Sequence, residues 1–139
     1  MTSVAVRAEV DASVARLVEW LETGTAPAGL LAAGCFTDLS LPHWRRQLGS
    51  GAATIAARRE LHPYPGAVRV ERVDRTATGF VMAFEERWPD AGQNWYCREQ
   101  LAADVDGAGE ITELRIYCTG DWDEARQAQH AAEVQLLRP

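Results

Sequence analysis

The chain has 139 residues, with 14 basic against 20 acidic side chains and a formal net charge of −6. That length suits one domain with its own core, and the negative balance offers no footprint for nucleic-acid phosphates or an anionic membrane surface. Every basic side chain is arginine, which excludes lysine Schiff bases, a lysine general base and a phosphate-loop lysine.

In chain order, Val14, Leu17, Val18 and Leu21 follow the i, i+3, i+4, i+7 spacing of an amphipathic helix, with Asp11 as its N-cap. Thr25-Ala-Pro27 predicts a short second helix through Leu30 and Leu31, stopped at Gly34. The stretch CFTDLSLPHW reads as a short strand ended by Pro42. Ser50 then caps a third helix, AATIAARRELH, which HPYPG breaks.

After Gly66 the texture changes. AVRVERVDR, GFVMAFEERW, NWYCREQLAADV and EITELRIYC read as strands, joined by the glycine-bearing turns TATG, PDAGQ and DGAG. A last helical stretch, DWDEARQAQHAAEVQLL, can start from a capping box of Asp121 and Glu124. Helices first and an antiparallel meander afterwards give an α+β domain over 1–139, with helices on one face of a curved sheet.

Alternation sorts the strand residues into two faces. One carries Phe80, Met82, Phe84, Glu86 and Trp88, then Trp95, Cys97, Glu99 and Leu101, then Leu114, Ile116 and Cys118. The other carries Glu85, Tyr96, Arg98 and Tyr117. Pairing Trp88 with Trp95 sets Glu86 against Cys97 and Phe84 against Glu99. Closing the next hairpin at DGAG sets Glu99 against Ile116 and Cys97 against Cys118. Every apolar set then shares one side.

Glu86 and Glu99 are the only charges on that apolar face, as diagonal neighbours roughly 7–8 Å apart at the backbone. Ionising both there is costly, so one should keep its proton near neutrality and equip the pair for acid–base chemistry. The plainer alternative tilts Glu86 to solvent at the rim and pairs Glu99 with Arg45, Arg46 or Arg58.

Three further groups bear on chemistry. His43, after Pro42 and beside Trp44, can shuttle protons from the end of the short strand. Trp44, Trp88, Trp95 and Trp122 either line a site for a flat or cyclic ligand or serve as core and rim. Cys97 and Cys118 read as small core hydrophobes. Cys35, Cys97 and Cys118 are odd in number and lack Cys-x-x-Cys spacing, and no two histidines share ligand spacing. Neither a disulfide scaffold nor a metal site is therefore expected. The N-terminal stretch lacks the features of a signal peptide, and no run is long enough to span a bilayer, so a cytoplasmic protein without a membrane partner is expected.

On the phrases LLAAGCFTDLSLPHW, LHPYPGAVRVERVD and GEITELRIYCTGDWDEA, the chain resembles the nuclear transport factor 2-like fold, and within it the SnoaL-like polyketide cyclase group. The resemblance implies a cone with an apolar pocket between helices and sheet, a small apolar ligand, acid–base chemistry without a cofactor, and a homodimer. It implies cyclisation, dehydration, isomerisation or epoxide opening of a cyclic or polyketide-like metabolite, as in secondary metabolism, or else a non-catalytic binding module. Isomerase-type members place their base just before the proline ending the first strand, where this chain has Leu41, so that carry-over fails. His43 and Asp121 stand as positional counterparts of the cyclases' histidine and aspartate, although capping alone also accounts for Asp121. The expected site is Glu99, Glu86 and His43 for catalysis, with Trp44, Met82, Phe84, Trp88, Cys97, Ile116 and Cys118 around the substrate.

Overall fold

The computed structural model describes residues 3–139, with side chains from residue 9 onward; residues 1 and 2 of the expected 1–139 domain lie outside the described part. Helix α1 runs Ser3–Thr23. It begins well before Asp11, which therefore is not its cap; Asp11 sits mid-helix and pairs with Arg75 at 2.6 Å. Val10, Leu17, Trp20 and Leu21 are buried along one stripe of this helix, the spacing that a core-facing helix requires.

The short helix expected from Thr25 does not form. Gly29 has φ 80°, and Leu30 O accepts from Ile111 N at 2.9 Å. The chain then enters strand β1, Leu31–Leu41. A partner strand distant in sequence thus decides this segment against its local helical signal. A tight turn at Pro42 and His43 leads to β2, Trp44–Leu48, which pairs back on β1. Helix α2, Gly51–Leu61, starts from Ser50 as the sequence indicates, its hydroxyl accepting from Ala53 N at 3.0 Å.

Strands β3 (Ala67–Arg75), β4 (Gly79–Asp90), β5 (Gln93–Val105) and β6 (Ile111–Cys118) follow the four expected segments closely. The β4–β5 register is the expected one, with Trp88 on Trp95, Glu86 on Cys97 and Phe84 on Glu99. Ala91 and Gly92 fix it: both have positive φ, at 52° and 76°, the two-residue turn whose twist matches paired strands.

The β5–β6 register differs from expectation by two residues. Glu99 faces Cys118 and Leu101 faces Ile116. The loop accounts for the shift. The Asp106 carboxylate accepts from Ala108 N and Glu110 N at 2.9 and 3.0 Å, and a bulge follows between Asp104 and Val105. An even shift returns every side chain to its original face, so alternation cannot register it.

The sheet order is β2-β1-β6-β5-β4-β3, and β1 lies parallel to β6. The sheet is therefore open and mixed, not wholly antiparallel as the meander implied. Two helices, α1 and α2, pack on its concave side over Phe80, Met82, Phe84, Leu101, Ala103, Ile111 and Leu114. Helix α3, Glu124–Glu133, buries no residue. No helix among the described residues is long and apolar enough to cross a membrane.

Candidate active site

Between α1, α2 and the concave sheet lies a cavity of about 270 Å³. Leu17, Trp20 and Leu21 of α1, Ala57 and Leu61 of α2, Leu39 and Leu41 of β1, and Phe84, Leu101 and Ile116 of the sheet give it apolar walls. The polar groups converge at one end: Arg58, His62, Glu86, Glu99 and Asp121, with Cys97 and Cys118 beside them.

The α2 face that meets the cavity carries Thr54, Ala57, Arg58 and Leu61, again the helical i, i+3, i+4, i+7 spacing. This pattern, legible in the sequence, is the signal that could have assigned Arg58 to the site. Arg58 reaches Glu86 with both terminal nitrogens, Nη1 to Oε2 at 3.1 Å and Nη2 to Oε1 at 2.6 Å. Nη2 also donates to Leu21 O at 3.1 Å, tying α1 to the same pair. The bidentate geometry is the strong form of a guanidinium–carboxylate contact.

The two glutamates are thereby made unlike. Burial raises the Glu86 carboxyl, but hydrogen bonds from Glu99 and Arg58 outweigh it and leave Glu86 below the ordinary carboxylate range. Glu99 has no arginine, and its Oε2 is buried without a hydrogen-bond partner among the described residues. Burial first, and then the Glu86 charge, push it well above the ordinary value. The surroundings therefore favour the charged form of Glu86 and the neutral form of Glu99 within an apolar cavity.

His62, the first residue of the HPYPG stretch that breaks α2, also lines the cavity. It closes α2, its N–H donating to Arg58 O at 2.8 Å, and its ring meets Trp88 edge-on at 4.2 Å. Burial and the nearby Arg58 charge lower it to about 4, so the ring is neutral at ordinary pH. Asp121 sits at the rim, open on one side, and burial on the other raises its carboxyl. It does not cap α3; Asp123 does, accepting from Arg126 N at 2.8 Å. Gly120, at φ 82°, makes the turn that re-aims Asp121, and a Cβ there would stand 2.9 Å from Pro42.

Of the expected site residues, Glu86, Glu99, Phe84, Cys97, Ile116, Cys118 and Asp121 line the cavity. His43 does not; it lies on the exposed β1–β2 turn, because β2 folds back immediately after it. Trp44, at 68% exposure, points away into solvent. Met82 and Trp88 are buried in the packing behind the cavity wall and are not part of its lining.

An open, curved, mixed sheet wrapped around two helices, with an apolar cavity between them, is the nuclear transport factor 2-like fold. The chain superposes on an NTF2-like protein from Anabaena variabilis ATCC 29413 with a TM-score of 0.70 at 17% identity, covering 87% of this chain and 96% of that one. It is similar to a Δ5-3-ketosteroid isomerase from Mycobacterium sp. (TM-score 0.63, 20% identity, 85% and 95% covered). A SnoaL-like protein of Jannaschia sp. CCS1 also matches (TM-score 0.62, 16% identity, 93% and 94% covered). No family model and no curated protein matches the chain in sequence.

Proposed function

We propose that this protein is an enzyme performing acid–base chemistry on a small, apolar, cyclic or polyketide-like metabolite. The class covers cyclisation, dehydration, isomerisation and epoxide opening. One observation supports the reading: Glu99, whose Oε2 is buried without a hydrogen-bond partner among the described residues and which no arginine pairs, stands beside Glu86, whose charge Arg58 holds, in an apolar cavity. A purely structural pair would have both carboxyls matched by arginines, and only Glu86 is.

In this reading Glu99 donates its proton to an oxygen of the bound ligand and recovers one in the following step. Glu86 is too well paired to serve as a strong base. Its charge keeps the Glu99 proton in place until a ligand oxygen competes for it. His62, neutral and packed on Trp88, orients the ligand near Arg58; it takes the place expected of His43. The known activity of a neighbouring fold member, the ketosteroid isomerase, fits this class of chemistry, although Leu41 occupies the position of its base.

A panel of cyclic ketones, enones and epoxides incubated in deuterated buffer tests the reading. Wild type should incorporate deuterium or release a rearranged product, detected by mass spectrometry. Glu99→Gln, which keeps the shape but cannot trade a proton, should lose at least about 100-fold in rate with an unchanged circular dichroism spectrum. Equal turnover by the variant would remove Glu99 from its role.

A further inference from the structure

Cys97, Glu99 and Cys118 bring two sulfur atoms and a carboxylate oxygen within 4.8 Å of one another. We propose that these three side chains form a binding site for a soft divalent cation of the zinc class, with the remaining coordination position open to the cavity.

The strand register makes the cluster. Cys118 lies directly across from Glu99, and Cys97 faces Glu86 two residues earlier on the same strand. Cys97 and Cys118 are thus diagonal neighbours, roughly 7–8 Å apart at the backbone. Disulfides usually have Cα atoms within about 6.8 Å of each other, so the diagonal spacing favours an ion held between the two thiols over a direct bond. A metal ion spans that gap. Zinc bonds sulfur at about 2.3 Å and carboxylate oxygen at about 2.0–2.2 Å, which sets the two sulfurs about 3.8 Å apart in a tetrahedron. The present cluster, with its ligand atoms within 4.8 Å of one another, is close to that spacing.

An independent sign is the orphaned Glu99 Oε2, buried and without a hydrogen-bond partner among the described residues. The surroundings suit a thiolate site as well. Gly120 N donates to Cys118 Sγ at 3.3 Å, a contact of the kind that orients a metal ligand. Two sulfurs select borderline-soft ions over magnesium or calcium. Three protein ligands with one open position is the arrangement that leaves a metal accessible to a ligand. Binding displaces the protons of both thiols and of Glu99, so the cation and the proposed proton transfer compete for the same carboxyl. Each excludes the other, and the ion would act as an inhibitor of turnover. The inference does not rest on the proposed catalysis, because binding is read without any substrate.

Titrating the fully reduced protein with Cd²⁺, followed by the ultraviolet sulfur-to-cadmium charge-transfer band, tests the site. The band should saturate at one equivalent, and a large excess of Zn²⁺ should diminish it by competition. Cys97→Ser and Cys118→Ser should each weaken binding by more than the roughly 100-fold that loss of an outer contact costs. Glu99→Gln should weaken it while keeping the band, and Cys35→Ser should leave it unchanged. Cadmium NMR on the wild type, whose shift reports the number of sulfur ligands, serves if a serine variant fails to fold. No saturable band at one equivalent, a shift reporting fewer than two sulfurs, or a band surviving both serine substitutions would overturn the proposal.

Discussion

At the scale of single residues, the Arg58–Glu86 pair holds the site in its asymmetric state. Removing the guanidinium with Arg58→Leu leaves a buried carboxylate without its partner, and should cost about 3–5 kcal/mol in urea unfolding. Arg58→Lys should recover part of that, since it restores the charge without the two-pronged contact. His62 supplies a pH signature. Its folded value is lowered to about 4 from 6.5, so the unfolded chain binds the proton more readily. The stability it contributes is present above pH 6.5 and lost as pH falls through that window towards 4. With the ring partly open to solvent, the loss should be on the order of 1–2 kcal/mol. Glu99 acts in the opposite sense, its raised value favouring the folded state at low pH and withdrawing stability as pH rises above 4.5. Comparing His62→Gln with wild type isolates the histidine: the variant should lose the acid-side decline, and an unchanged slope would exclude His62 as its source. The carboxyl pair was legible in the sequence because two charges fell on an otherwise apolar face. The sequence offers Arg58 only as one of three arginines for Glu99, because alternation along a strand says nothing about which helix residue lies above it.

At the scale of elements, the start of α3 illustrates how a local signal is overridden. Asp121 and Asp123 both precede Glu124, and either could cap. Trp122 exchanges backbone hydrogen bonds with Tyr96 at 2.7 and 3.0 Å, which keeps the chain extended until Asp123 takes the cap. Asp123→Ala should therefore weaken α3 by about 1 kcal/mol. Because α3 buries nothing, that loss should appear as reduced amide protection confined to the helix, with global unfolding unmoved. Asp121→Ala should leave α3 protection as it is; the reverse result would return the cap to Asp121. The β5–β6 register is a second case. Its two-residue offset left every face assignment intact, yet it exchanged Ile116 for Cys118 opposite Glu99 and so set the chemistry of the cavity's polar end.

At the scale of the whole molecule, the cavity exists because α2 is held over the sheet by Arg58 and by its packing on β1, while small side chains stand on its inner face. Ala57 is one of them. Ala57→Leu should fill part of the space, abolish saturable binding of an apolar fluorescent dye, and change stability by less than about 1 kcal/mol, since the added methylenes enter empty volume rather than a packed core. Retained dye binding would locate the apolar site elsewhere. The arrangement also depends on β1 entering the sheet beside β6 in parallel, which no hairpin signal announces.

The α+β class, the four long strands, the cap of α2 and the membership of the sheet's apolar face can all be read along the chain. These follow from periods of two and 3.6 residues and from turn chemistry, all properties of neighbouring positions. Tertiary structure alone decided the parallel β1–β6 pairing, the β5–β6 register, the partner of Glu86, the removal of His43 from the cavity and the entry of His62. Each of these turns on which distant segments meet, and a period of two is blind to an even shift, while a helix–sheet contact leaves no mark on either strand's pattern.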